Sequence, residues 1–460
     1  MIRYPSFCSP ICCLACGGLL LLLLMTTVQS QPYVDRLQIA DMLVQKNYSK
    51  LEDTLTNLQK AYESDYRQEN AVLFAFEAFA STDPSFRAAL DEWVATFPTS
   101  YAAHLARGIY QMHHGEIARG YGYISETNDK QLEEMNYYLS RATTDFLEAI
   151  RLNERSTVAW SNLLGWSKYQ LDHPNMRVLL DRALSNNSNS SVIRRQYAFN
   201  LQPKWGGSLA QLKNFINESN LYLKINPNLK ILRGYYHYTL ADIHKQADQY
   251  QQALVEINKA VASGDHPWFI WSRGQYQYAL KHYREALSDF DAFLTIWPQQ
   301  PEVLDKRART YRKLQQPQQA FADWDLALRL DPLNPSLRLH RAYLYKQQGD
   351  YRRAKRDVEQ ALTLGSNRDN IWAMKGALEL FSLNHYTDAA QSFEQAIELR
   401  PNQAAYWYQW GVALYYLKDC GVINSLEMYI ALCDITDECD DEAADWSRQA
   451  IETLVAYCPA

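Results

Sequence analysis

A chain of 460 residues is longer than one ordinary hydrophobic core fills, so it either divides into several domains or adds core repeat by repeat. Glycine (17) and proline (16) are too sparse for the turns of an all-β protein, and 47% hydrophobic with 13% aromatic residues excludes a largely disordered chain. A net charge of -6 gives no general attraction for nucleic acid, so no nucleic-acid partner is expected.

Taken in chain order, Arg3 gives a positive start, residues 11 to 25 are apolar or small, and Leu19 to Leu24 is an unbroken leucine run. Val28-Gln29-Ser30 then offers a signal-peptidase site. Residues 1–30 read as a cleaved signal peptide or, since Phe7 to Val28 could span a bilayer, as an uncleaved anchor and the one membrane contact. Both readings export the remainder.

Residues 31–235 are expected to be helical, with degenerate repeats: Ala142, Phe146 and Ala149 recur 34 residues on as Met176, Leu180 and Ala183. His113, His114 and Glu116 invite a metal reading. Adjacent helical histidines point about 100° apart, however, so no metal site is expected. Ser185 to Ser191 (SNNSNSS) reads as a solvated linker, and the sequons at Asn47, Asn186, Asn189 and Asn217 would matter only in a eukaryotic secretory pathway. In LQPKWGGS (Leu201 to Ser208), Pro203, Gly206 and Gly207 require a tight loop, with Trp205 expected to plug the stack. Together with DEWVATFPTSYAAHLARG from Asp91 and the following ARGYGY, this motif resembles an uncharacterised bacterial domain of unknown function over roughly Asp91 to Asn220. The resemblance implies a bacterial source and a periplasmic or cell-envelope location.

Residues 236–401 hold five copies of one pattern, an aromatic or proline followed by Ala, a large apolar residue and a small or apolar one. The copies start Tyr250/Ala253, Tyr283/Ala286, Pro317/Ala320, Tyr351/Ala354 and Tyr386/Ala389, and the alanines are 33, 34, 34 and 35 residues apart. Three-and-four spacing marks one face of a helix, a second amphipathic helix precedes each, and Pro298, Pro332 and Pro401 close units. A pair of helices cannot bury its own apolar face, so the pairs must stack. The pattern resembles the tetratricopeptide repeat family, which the upstream domain is known to accompany. That resemblance implies an all-α fold, a right-handed α-solenoid of stacked antiparallel helix pairs, and a non-catalytic binding role.

Arg273 and Asp289, Arg307 and Asp323, and Arg341 and Asp357 are each sixteen residues apart, first helix to second, which points to a repeated ion pair that sets register. In this architecture the first helix of each pair lines the concave face. By that logic Tyr235, Tyr238, Trp268, Trp271, Tyr278 and Tyr343 give an aromatic lining, and Arg309, Arg312 and Lys346 a basic one. A protein or peptide partner is expected, with a glycan as the alternative and an enzyme sited in the N-terminal region as a third reading. No nucleophile elbow, phosphate-binding glycine pair or Cys/His arrangement is present, so no catalytic residue or cofactor is expected.

Charge is segregated. Lys306 to Arg356 holds thirteen basic and four acidic residues, whereas Asp419 to Glu452 holds one basic and ten acidic, which suits an anionic partner for the middle of the array or head-to-tail self-association. Residues 402–460 read as a degenerate repeat and an acidic cap. Four of the eight cysteines, Cys420, Cys433, Cys439 and Cys458, are confined there, and two disulfides are expected, Cys433 with Cys439 and Cys420 with Cys458, of three possible connectivities.

Overall fold

A computed structural model describes residues 34–120, 127–169, 173–364, 368–436 and 439–458 of the chain. The expected signal peptide or anchor, residues 1–30, lies outside them. Among the described residues every regular element is helical, and no helix is long and apolar enough to cross a membrane. The expected all-α class and stacking of helix pairs hold.

Ten helices lead: α1 (Arg36–Val44), α2 (Tyr48–Ser64), α3 (Glu69–Phe76), α4 (Ser85–Thr96), α5 (Tyr101–Arg119), α6 (Asp129–Leu152), α7 (Thr157–Ser167), α8 (His173–Ser185), α9 (Ser191–Asn200) and α10 (Leu209–Ser219). Their starts follow local chemistry. Ser100, Ser156, Ser190 and Ser208 each accept a backbone N–H at an N-cap, and Asn128 with Gln131 makes a capping box. The SNNSNSS stretch departs from the linker reading. Asn187, Ser190 and Ser191 are buried, because the carboxylate of Glu69 on α3 accepts the Ser190 hydroxyl and, at 2.9 and 3.2 Å, the backbone N–H groups of Ser191 and Val192. A buried anion at the N-terminus of α9 thus ties α3 to α9.

The repeat pairs follow: α11 (Leu232–Gln246) with α12 (Tyr250–Ala262), α13 (Pro267–Ala279) with α14 (Tyr283–Ile296), α15 (Pro301–Lys313) with α16 (Pro317–Leu330), α17 (Pro335–Gln347) with α18 (Tyr351–Thr363), and α19 (Asp369–Phe381) with α20 (Tyr386–Leu399). Proline opens α13, α15, α16 and α17, where its missing N–H costs nothing. The repeated alanines Ala253, Ala286, Ala320, Ala354 and Ala389 are wholly buried and let neighbouring helices approach.

Each ladder arginine makes a two-pronged contact with its aspartate. Arg273 donates to Asp289 at 2.9 and 2.6 Å, Arg307 to Asp323 at 2.8 and 2.7 Å, and Arg341 to Asp357 at 2.8 and 2.7 Å. The remaining nitrogen of Arg307 and of Arg341 reaches back sixteen residues, to Asp291 at 2.7 Å and Asp325 at 2.6 Å on the preceding unit. One guanidinium therefore fastens three helices. Thirty-four residues past Arg341, Lys375 takes the position and meets Glu379 and Ser392.

The same device recurs upstream, where Arg107 on α5 grips Asp145 on α6 at 2.9 and 2.8 Å and reaches back to Asp91 at 3.1 Å. Beside it a Cβ on Gly108 would sit 2.7 Å from the ring of Phe146, as one on Gly274 would sit 2.6 Å from Phe290. Longer helices hide the match by stretching the spacing from 16 to 38 residues.

A cap of α21 (Ala404–Leu417), α22 (Val422–Thr436) and α23 (Asp441–Val455) ends the array. Cys420 is joined to Cys458, from the end of α21 to the end of α23, and Cys433 to Cys439. Trp446 of α23 packs on Tyr408 and Tyr415 of α21, covering a face that no further repeat covers.

Between Val34 and Ala460 the chain also curls back on itself. Arg36 is buried, and its guanidinium donates to the backbone carbonyls of Gln299 and Glu77, both at 2.7 Å. Gln299 returns a bond from its amide to Asp35 at 3.0 Å, Gln300 donates to the carboxylate of Glu77 at 2.6 Å, and Thr82 donates to Asp331 at 2.5 Å. Phe74 meets Trp297 with ring centroids 6.5 Å apart. The start of the described chain is thereby fastened to the ends of α14 and α16.

Burial raises the pKa of Asp323 in spite of the hydrogen bonds from Arg307, whereas Arg307, against its own burial, is raised by those bonds; desolvation of the carboxylate offsets part of the pair's attraction, which leaves register as the rung's main role. Arg307→Ala leaves that carboxylate buried and unpaired and is expected to cost about 3 kcal/mol in urea unfolding. Replacing both Arg307 and Asp323 by Met removes both charges and should cost less than the single change.

Candidate functional site: a half-open cavity

Curling the chain forms a half-open cavity of about 570 Å³ between the first ten helices and the first two repeat pairs. Its walls are single helix faces at three-and-four spacing: Ser161, Gly165 and Lys168 following α7, Arg195 and Phe199 on α9, Tyr238, Asp242 and Lys245 on α11, and Trp268, Trp271 and Gln275 on α13. Glu77, Glu116 and Met112 complete the lining.

The PKWGG loop shapes one end. Gly206 sits at φ +83°, and a Cβ on Gly207 would lie 2.1 Å from the carbonyl oxygen of Leu201, so no larger residue fits that turn. The loop carries Lys204 to Asp242, 2.9 Å away, and sets Trp205 edge-on to Tyr169 at 5.7 Å. Trp205 is half-buried and packs among Tyr169, Phe199 and the Lys168 ammonium, 4.5 Å from its ring.

The electrostatics of the cavity are dominated by burial. Burial pushes Glu77 up to about 7, opposed by the charge of Arg36, and raises Glu116 as well. Burial lowers Lys168 to about 8, with Glu116 opposing and Lys204 adding to the effect. His266 is held well below its ordinary value by burial and by Arg195, so it stays neutral; its Nδ1 accepts the backbone N–H of Trp268 at 3.2 Å, which leaves Nε2 to donate to the Tyr235 hydroxyl, 3.2 Å away.

The residues expected to face a partner fall into two groups. Tyr235, Tyr238, Trp268 and Trp271 line the cavity. Tyr235 is buried, 5% exposed, and packs between α11 and α13, so it does not present its ring to a partner. Trp268 is 44% exposed, while Trp271 packs on Phe290 and Phe293. The second group lies further along the array. Lys306 and Arg309 stand 4.8 and 5.9 Å from the ring of Tyr278, and Arg309 is 3.8 Å from Asp305. Tyr343 on α17 is 39% exposed beside Arg312 of α15, and neither Arg312 nor Lys346 has an ion-pair partner among the described residues. Sequence reading missed Lys168, Arg195 and Glu77. A helix-face alignment of α7 and α9 could have signalled the first two, but the polar contacts of Glu77 have no periodicity.

His113 and His114 do not converge. His114 stacks on Tyr110 and Tyr138, with centroids 4.4 and 5.5 Å away, and among the described residues no group of three or more His, Cys, Asp or Glu side chains is placed to hold a metal. In solution, Glu77 gives a pH signature. Its folded pKa of about 7 exceeds the ordinary 4.5, so the stability it contributes is full below about pH 4.5 and is lost as pH rises through 7. Melting temperature should therefore fall from pH 5 to pH 8 more steeply in the wild-type protein than in Glu77→Gln.

Residues 35–181 match the model of a domain of unknown function, DUF4034, and residues 335–366 and 374–419 match two tetratricopeptide repeat models. No curated protein matches. Among solved structures, a thermophilic TPR protein of Thermus thermophilus is 20% identical, over 40% of this chain and 99% of its own, with a TM-score of 0.35. The C-terminal part of a TPR repeat-containing protein from Cytophaga hutchinsonii is 17% identical, over 48% and 96%, with a TM-score of 0.37. A tetratricopeptide repeat protein from Parabacteroides merdae is 17% identical, over 61% and 93%, with a TM-score of 0.34. The chain thus carries tetratricopeptide repeats in its C-terminal half, behind a region that matches a domain of unknown function.

Proposed function

We propose that the chain is an exported scaffold that binds an acidic protein or peptide segment on the open face of α15 and α17. Tetratricopeptide repeats support a protein-interaction role in general, and a non-catalytic one is consistent with them. The finer reading rests on one contrast. Arg307 and Arg341 spend their charge on ladder aspartates, whereas Arg312 and Lys346, beside exposed Tyr343, have no carboxylate of their own among the described residues. Cations left unanswered around an exposed aromatic suit an anionic partner, with the ring supplying apolar area. Cysteine pairs at bonding distance in the cap, with the leucine run near the start of the sequence, support an oxidising compartment outside the cytoplasm. The basic stretch from Lys306 to Arg356 would then steer the partner to this face.

A photo-crosslinking residue placed at Tyr343 in cells should give a specific protein adduct. Adding Arg312→Glu and Lys346→Glu should reduce that adduct at least about tenfold without lowering the melting temperature. An unchanged adduct pattern in the charge-reversed protein would remove the proposal.

A further inference from the structure

The cavity is lined by Lys168, Arg195, Lys204 and Lys245 and by the carboxylates of Glu77, Glu116 and Asp242, and its cations are answered unequally. Lys204 pairs with Asp242 at 2.9 Å. Arg195, 9% exposed, donates from Nη2 to the neutral side-chain oxygen of Asn70 at 2.8 Å and has no carboxylate within ion-pair distance among the described residues. Lys168 has no hydrogen-bond acceptor or ion-pair partner among them. It stands instead over the rings of Trp205, Tyr169 and Phe199, at 4.5, 4.9 and 5.4 Å. Glu116, the nearest opposing charge on Lys168, lies beyond ion-pair reach.

A cation ringed by protein with no carboxylate in ion-pair contact is costly, and removing water from it costs more. Rings repay part of that cost for Lys168. Full compensation requires an anion. The two cations share one wall, because α7 and α9 meet closely where a Cβ on Gly165 would lie 3.2 Å from the side chain of Gln196, three residues from Lys168 and one from Arg195. Tyr238, Trp268, Trp271 and Trp297 also line the cavity, and the buried indole N–H of Trp297 has no acceptor among the described residues. A cationic wall, an aromatic wall, an orphan donor and a volume of about 570 Å³ have the dimensions and chemistry of a small-molecule site.

We infer that this cavity binds a small organic anion, a carboxylate or phosphate monoester on a flat apolar body, with the anion at Lys168 and Arg195 and the body against Trp268 and Trp271. The site is separate from the α15 and α17 face and does not depend on the scaffold reading. Depressed basicity of Lys168 accords with it, since an arriving anion would restore the charged form.

Three probes of one shape test the charge requirement on the full chain: 2-naphthoate, 2-naphthyl phosphate and uncharged 2-naphthamide, followed by tryptophan fluorescence and calorimetry. At least one charged probe should bind one per chain and at least about tenfold tighter than the amide. Whichever binds tighter assigns the site to carboxylates or to phosphates. Lys168→Met, which breaks no hydrogen bond, should weaken that probe at least about tenfold while melting as wild type does, whereas Lys313→Met, outside the cavity, should not. Arg195→Lys is the second variant, with an intermediate loss. Equal binding of the amide, undiminished binding by Lys168→Met, or no binding of any probe would overturn the assignment.

Discussion

The architecture turns on one buried guanidinium. A repeat array is by nature open-ended, each unit touching only its neighbours, and its concave face is a groove. Here Arg36 enters the interior and spends two of its donors on the carbonyls of Glu77 and Gln299, tying residues 263 positions apart. Burial lowers its pKa, the sign of a charge short of compensation, and the carboxyl of Glu77 supplies the largest opposing effect. The groove over α11 and α13 is thereby narrowed to a half-open cavity, and the binding face proposed above begins at α15.

Closure also explains why the two halves differ in their cores. A single cluster of buried apolar side chains runs from Val34 to Tyr276, across the first ten helices and into the second repeat pair. Beyond it the core breaks into small clusters, one for each junction between units, as at Leu304 to Leu344 and Leu339 to Leu378. There the register rests on the ladder of Arg273, Arg307, Arg341 and Lys375. Ion pairs with one buried partner add little net stability but penalise every other docking, which is what a stack of near-identical units needs.

Much of this was legible in the chain itself. Small residues at 34-residue intervals specify stacked helix pairs, because only they admit a neighbouring helix, and they are found wholly buried. What escaped reading escaped for physical reasons. The Arg107 and Asp145 rung uses the ladder's chemistry at a different spacing, stretched by two long helices. Glu69 makes part of a serine and asparagine run interior by capping α9 from 122 residues away, and composition alone could not reveal that. Closure depends on backbone carbonyls and side-chain amides, which leave no periodic trace. Tyr235, Tyr238, Trp268 and Trp271, expected as a concave-face lining, line the cavity, whose closure involves Arg36, far away in sequence.

The central claim is that the chain is closed on itself through Arg36. Small-angle scattering of the wild-type protein and of Arg36→Ala, at matched concentration and pH, addresses it directly. Closure predicts a larger radius of gyration and a longer maximum dimension for the variant, with helix content by circular dichroism unchanged. Superimposable scattering curves from two equally folded proteins would contradict it.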